Sequence, residues 1–146
     1  MKVEIQLIEK ATIKREIIKK CDTAFINGIT MREDYEKIFS KIDKYAIFIS
    51  ASIEKVYVGY AAIYVNDLEN NVAYITMIGV VDSVQGLHIG SMLMDKCIEI
   101  SKMNGMKEIR LEVSTDNKKA IRFYYHKGFV YEKKCSEQSD YLIMQL

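Results

Sequence analysis

Gln85-Gly86-Leu87-His88-Ile89-Gly90-Ser91 decides how this chain is read. The segment leaves a strand-like run, Val72 to Val81, turns on two glycines, and opens an amphipathic pattern in which Ile89, Leu93, Cys97 and Ile100 share one face. Glycine lets backbone N–H groups approach a ligand closely, and the first turn of a helix carries unpaired N–H groups and partial positive charge. Strand, glycine turn and helix in that order predict an anion site, with phosphate as its natural occupant.

Downstream, the helix is expected over Leu87 to Met103 with Asn104-Gly105 as its left-handed stop, and Glu108 to Val113 reads as a buried strand. The two strands joined by this helix should run parallel, which puts the glycine turn at the carboxyl end of the leading strand, where open α/β sheets receive ligands. Gly79, inside an otherwise β-branched strand, marks a bulge or a point where a ligand comes close to the backbone. Asn117 is an N-cap for a short fourth helix that turns Ala120, Ile121, Phe123 and Tyr124 inward and ends at Gly128. Phe129 to Lys134 and Tyr141 to Leu146 read as the last two strands.

Upstream, Lys2 to Ile8 alternates as a strand does, and Ile13, Ile17, Cys21 and Phe25 recur every four residues until Asn27-Gly28 breaks the helix. Thr30 with Glu33 forms a capping box for a second helix whose stripe is Met31, Tyr35, Ile38, Phe39 and Ile42. Ala46 to Ser52, Lys55 to Val65 and Val72 to Val81 read as an antiparallel meander. The order is β-α-α-β-β-β-α-β-α-β-β. It predicts an α/β (α+β) chain with a mixed, mostly antiparallel seven-stranded sheet flanked by four helices, in a single domain over residues 1–146.

Composition narrows the function classes. Twenty-one basic and 20 acidic residues leave a net charge of +1, so no global field draws the chain to nucleic acid or to an anionic membrane. Small ligands or local patches must carry the function. Val72 to Val81 is about half of a membrane span of roughly 20 residues. Met1 to Gln6 alternates charged and apolar side chains without the apolar core of a signal peptide, so a cytoplasmic location is expected. Cys21, Cys97 and Cys135 form no CxxC pair, which fits reduced thiols; with His88 and His126 they suggest no metal site.

Ile78-Gly79-Val80, then Gln85-Gly86-Leu87-His88-Ile89-Gly90, then Asn117-Lys118-Lys119-Ala120-Ile121-Arg122-Phe123-Tyr124 with Gly128-Phe129, together resemble the acetyl-CoA signature of the GNAT N-acetyltransferases. The order of elements along the whole chain is similar to that family's. The resemblance implies the GNAT fold, with acetyl-CoA as co-substrate and no metal. It implies that the strand before the turn and the strand after the third helix splay apart and that the pantetheine arm lies between them, bonded to the backbone of Ile78 and Val80 on either side of Gly79. The amides of Gln85, Gly86, Leu87, His88, Ile89, Gly90 and Ser91 would hold the pyrophosphate, favoured by the helix dipole. Asn117, capping the helix that carries Ala120, would reach the pantetheine or the cofactor's amides. His88 stands where the family usually has glycine, so its side chain either crowds the pyrophosphate or adds a donor. Asp82 replaces a common proline. Lys118, Lys119 and Arg122 either touch the 3′-phosphate or form a solvated helix face.

Tyr124 matches the family's tyrosine that protonates the departing thiolate; taken alone, a tyrosine beside Phe123 also fits simple core packing. Glu112 is the candidate base. Strand alternation turns it away from Leu111 and Val113, and partial burial there would raise its pKa toward a useful value. The spacing from Glu112 through Asn117 to Tyr124 is similar to that of ribosomal-protein alanine acetyltransferases, whose matching glutamate is the base. A pair with Arg110 or a helix terminus, and a water relay as base, stay open. The resemblance implies that the acceptor enters from the face built by the first two helices and the strand hairpin, where Phe25, Ile26, Asn27 and Tyr74 are candidate lining residues, apolar and uncharged; Phe25 and Ile26 also fit simple packing. The resulting reading is transfer of an acetyl group to the primary amine of a small molecule, such as an amino sugar or amino acid derivative, by direct attack in a ternary complex. Acetylation of a protein N-terminus or lysine, and a non-catalytic acyl-CoA-binding regulatory domain, are the alternatives. Tyr141-Leu142-Ile143-Met144 offers an edge on which a homodimer could form.

Overall fold

The structure, a computed structural model, describes residues 2–25 and 28–146. The elements are β1 (Val3–Ile8), α1 (Ala11–Cys21), a 3-10 turn (Asp22–Ala24), α2 (Tyr35–Tyr45), β2 (Ile47–Ile53), β3 (Val56–Tyr64), β4 (Val72–Val80), a second 3-10 turn (Asp82–Val84), α3 (Ile89–Met103), β5 (Glu108–Ser114), α4 (Lys118–Lys127), β6 (Val130–Ser136) and β7 (Ser139–Gln145). One seven-stranded sheet runs β1-β2-β3-β4-β5-β7-β6, and every neighbouring pair is antiparallel except β4 with β5. The expected element order and the single parallel pair are both present. β7 lies between β5 and β6, so the Tyr141–Met144 segment is not an edge; β6 is. The terminal strand pairs on both sides because the turn at Glu137-Gln138 folds β7 back between its neighbours.

Side-chain alternation sorts the core into two layers. Ile49, Ala61, Ile63, Ala73, Ile75, Ile109, Leu111 and Val113 point to the face covered by α3 and α4, where they meet Ile89, Leu93, Cys97, Ile100 and Tyr124. Phe48, Tyr60 and Ala62 point the other way and meet Ile17, Ile18, Cys21, Phe39 and Ile42 of α1 and α2. α1 and α2 cover the β1–β4 half of that face. The β5, β7 and β6 strands carry Arg110, Glu112, Glu132 and Tyr141 there, in a polar row.

Two expectations at the N-terminal end are corrected. α2 begins at Tyr35, not at the Thr30–Glu33 capping box, and Met31 is 92 % exposed. Asp22 is the reason: its carboxylate accepts from the Ile29 amide at 2.8 Å, the Thr30 amide at 3.1 Å and the Thr30 hydroxyl, so Thr30 is occupied in a loop and cannot cap a helix. α1 also ends at Cys21, leaving Phe25 beyond it in extended backbone. Lys14, which the apolar pattern gave no reason to bury, is 4 % exposed. Its ammonium reaches the Asp43 carboxylate at 2.9 Å and the Asp43 carbonyl at 3.2 Å, and so both pairs its charge and satisfies a carbonyl in the last turn of α2.

Candidate active site

β4 and β5 part company halfway along. Their pairing runs only from Val72–Glu108 to Ile75–Leu111, yet β4 continues to Val80 and β5 to Ser114. The cause lies in β4. Ala62 of β3 faces Met77 while Ile63 faces Ile75, so Thr76 is an extra, bulged residue at the point where the pairing with β5 ends. A bulge bends its strand, and β4 swings away from β5. Of the two readings of Gly79, the bulge lies instead at Thr76, while Gly79 lines the gap. Gly79 is small for another reason, since a Cβ there would lie 2.7 Å from Cζ of Phe25, whose ring packs directly over it.

The ladder on the other side of β4 fixes which backbone groups line the opening. The Val81 amide donates to the Val58 carbonyl at 2.8 Å, and in the same register Gly79 pairs with Tyr60. Antiparallel pairs alternate, so Val81 and Gly79 turn their N–H and C=O toward β3, and Ile78 and Val80 turn theirs toward the gap. The backbone of Ile78 and Val80 therefore faces the gap, where the Val80 carbonyl accepts from Gln85 Nε2 at 3.3 Å. The cleft formed by this gap is about 1040 Å³ and is bordered by β4, β5, the glycine turn, α3 and α4.

At one end of the cleft lies the turn. Gln85 donates its amide to the Asp82 carbonyl at 3.2 Å, so it is not among the free donors, contrary to expectation. Among the described residues the amides of Gly86, Leu87, His88, Ile89, Gly90 and Ser91 have no backbone or side-chain acceptor, and the first such bond of α3 is Met92 N to His88 O at 3.1 Å. Six consecutive amides at a helix start are a strong anion cradle. Gly86, at φ +92°, has nothing within 4 Å of where a Cβ would stand. Leu87 does not line the cleft, and its side chain is 41 % exposed. α3 starts at Ile89, two residues later than expected, because His88 takes the left-handed conformation at φ 61°. That conformation accounts for the usual glycine at this position better than crowding does: the strain falls on the backbone. Replacing His88 by glycine should stabilise the fold by about 1 kcal/mol; a urea melt with an unchanged or lower midpoint would contradict this.

Gln85 contributes its side chain instead. Its amide nitrogen donates to Asp82 Oδ1 at 2.9 Å and to the Val80 carbonyl at 3.3 Å, and its carbonyl oxygen accepts from Lys119 Nζ. Lys119 and Asp82 therefore border the cleft, while Lys118 and Arg122 are exposed outside it. Asn117 caps α4 as expected, its Oδ1 accepting from the Ala120 amide at 3.2 Å, and both residues line the cleft. Gly128 ends α4 at φ +110°.

Tyr124 and Glu112 meet the cleft from opposite faces of the sheet. Tyr124 is 9 % exposed, packed edge-on between Phe123 and Phe129, and burial pushes its pKa up to about 12, with a smaller contribution from Cys97. Core packing and a cleft-lining position thus coexist in one residue. Glu112 is exposed rather than partly buried, because the β5–β7 half of its face has no helix over it. It accepts from Ser139 Oγ at 2.7 Å. Arg110 is not its partner; the guanidinium binds both oxygens of Glu132 at 2.8 Å. Phe25 and Tyr74 line the cleft, whereas Ile26 and Asn27 lie outside the described residues. Burial, then Glu112, push the Tyr74 phenol up to about 12. Tyr74 also borders a second hollow of about 440 Å³ with Tyr64, Asn66, Asp67, Asn70, Val72, Glu108 and Arg110. Ser136, Gln138 and Ser139 are cleft residues that the sequence gave no signal for, since they arrive through the pairing of β7 with β5.

A splayed parallel pair, free amides at the start of the following helix, and a buried phenol on the next helix form a site that can hold a diphosphate with an extended amide-bearing tail. The family model of the GNAT acetyltransferases matches residues 15–129. This chain is a GNAT acetyltransferase family member. No curated protein matches it. Among solved structures it is similar to the PaiA N-acetyltransferase of Thermoplasma acidophilum in complex with coenzyme A, at 20% identity and TM-score 0.85 over 100% of both chains. It is also similar to a GNAT family acetyltransferase of Staphylococcus aureus Mu50, at 20% identity and TM-score 0.80 over 98% of this chain and 99% of that one. A GNAT family acetyltransferase of Elizabethkingia anophelis with acetyl-CoA bound is 15% identical, with TM-score 0.76 over 99% of this chain and 98% of that one. The GNAT fold and an acyltransferase family are thereby established. Among the described residues, no group of three or more His, Cys, Asp or Glu could hold a metal ion, and no helix is long and apolar enough to cross a membrane.

Proposed function

We propose that this GNAT protein transfers the acetyl group of acetyl-CoA to the primary amine of a small molecule, such as an amino sugar or an amino acid derivative, by direct attack in a ternary complex. The observation that carries the reading is the convergence on one cleft of the unpaired amides of Gly86 and His88 to Ser91 at the start of α3, the outward-facing backbone of Ile78 and Val80, and the Tyr124 phenol. When bound, acetyl-CoA supplies an acyl group activated as a thioester. The amides of Gly86 to Ser91 would hold its pyrophosphate, and Ile78 and Val80 would bond the pantetheine as an added strand does.

Glu112 takes a proton from the acceptor's ammonium group, which leaves the nitrogen lone pair free to attack. Tyr124 gives its phenolic proton to the sulfur as the carbon–sulfur bond breaks. Burial suits it to that task by keeping the phenol neutral across the ordinary pH range, so that a donor is always present. The two groups reach the gap from opposite faces, so the acceptor and the thioester need not compete for one entrance.

The hollow beside Tyr74 supports a compact acceptor, since its size falls within the usual range for small-ligand sites. The deciding experiment is thiol release from acetyl-CoA against a panel of aliphatic amines, amino sugars, amino acid amides and peptides with free N-termini. Fastest release with a small amine is expected. Preference for peptides would replace the reading with protein acetylation; binding of acetyl-CoA without release for any acceptor would make the chain a non-catalytic acyl-CoA-binding domain.

A further inference from the structure

We infer that Ser139 is a positioning residue for Glu112, an assignment that rests on the proposal that Glu112 is the base. Ser139 is 7 % exposed, and its hydroxyl donates to Glu112 Oε2 at 2.7 Å. Ser136 Oγ lies 2.9 Å from Ser139 Oγ, and the Gln138 amide donates to Ser136 Oγ at 3.2 Å. A serine hydroxyl has one proton to give. Ser139 gives its own to the carboxylate, so Ser136 must give its proton to Ser139 and accept from Gln138. The direction of every bond follows: three donors in series point at one carboxylate oxygen. Each hydroxyl that accepts becomes a better donor to the next group.

The backbone explains why these groups meet. Ser139 pairs with Ser114 across the β5–β7 ladder and is the diagonal neighbour of Glu112, which pairs with Tyr141. The Thr115 amide donates to the Gln138 carbonyl at 2.9 Å, which ties the chain leaving β5 to the β6–β7 turn. The strand bearing Glu112 and the hairpin bearing the serines are therefore one rigid unit. Glu112 is exposed on a face without a helix, and an exposed glutamate otherwise samples many rotamers. With Oε2 held by Ser139, Oε1 is the oxygen that takes the proton: the acceptor's N–H bond breaks, the O–H bond forms, and the electron pair stays on nitrogen.

The test combines kinetics with crystallography on the full chain. With the amine that releases thiol fastest in the panel, S139A should lower kcat about tenfold and leave the KM for acetyl-CoA within about twofold. S139T, which keeps the hydroxyl, should recover most of the rate. Ser136 is exposed, and S136A, which removes only the outer donor, should cost about threefold; it serves if S139A fails to fold. In an E112Q background, S139A should cost no more than about twofold further, because a residue acting through Glu112 has nothing left to position. An equal cost of S139A in both backgrounds would overturn the role of Ser139 while leaving the base intact. Wild-type kcat in E112Q would remove both. Crystals provide a readout that needs no acceptor: Glu112 should occupy one rotamer in the wild type and several in S139A, and an unchanged Glu112 in S139A would overturn the inference.

Discussion

Gly90→Glu should abolish coenzyme A binding while the protein stays folded. Gly90 lies in the first turn of α3, within the run of unpaired amides, and a Cβ there would make only ordinary contact, 3.7 Å from Cζ of Phe123. A carboxylate at a helix start interacts favourably with the helix dipole, so the substitution costs the free protein little. Its effect falls on the ligand. A side chain of four heavy atoms beyond Cβ fills space beside the cradle, and its negative charge opposes a pyrophosphate a few ångströms away by about 3 kcal/mol or more at a partly solvated site. Calorimetric titration should show affinity reduced at least ~100-fold, with the melting temperature of the free protein within a few degrees of wild type. Gly90→Gln separates the causes, since it keeps the bulk without the charge and should fall between the two. Normal coenzyme A affinity in Gly90→Glu would mean that the amides from Gly86 to Ser91 hold something else.

The second large effect is expected from Tyr124→Phe, which should lower kcat by about ten- to a hundredfold with the affinity for acetyl-CoA nearly unchanged. The phenylalanine retains the edge-on packing against Phe123 and Phe129, so the loss is confined to one hydroxyl. The pH dependence gives an independent check. Because burial raises the Tyr124 pKa from 10 to about 12, the wild type should keep its phenolic donor, and hence its rate, through the range where an ordinary tyrosine ionises. The sign for stability follows from the same shift. Above pH 10 the unfolded chain releases this proton and the folded chain keeps it, so Tyr124 favours unfolding progressively up to about pH 12, and Tyr124→Phe should flatten that part of the alkaline melt. An unchanged kcat would remove Tyr124 from the chemistry.

Much of this was legible in the residues because it is local. The glycine turn before α3, the Asn117 cap and the Gly128 stop each follow from a few adjacent residues whose backbone preferences have no good alternative. Leu111-Glu112-Val113 placed Glu112 on the face away from the α3 core by alternation alone. Where the reading of Thr30 and Gln85 failed, a distant or neighbouring group had already taken the atom in question. Asp22 claimed the Thr30 hydroxyl, and the Asp82 carbonyl claimed the Gln85 amide.

The sequence by itself determined the order of elements and the run of amides before α3, since periodicity, capping and glycine placement act over a few residues; the acid and base candidates, Tyr124 and Glu112, come from the resemblance to the GNAT signature. Only the tertiary structure decided where β4 leaves β5, because the Thr76 bulge exists only against β3, and which residues hold Glu112, because Ser139 reaches it only once β7 has folded back beside β5. Both are products of strand register, which long-range pairing sets and no local stretch of chain encodes.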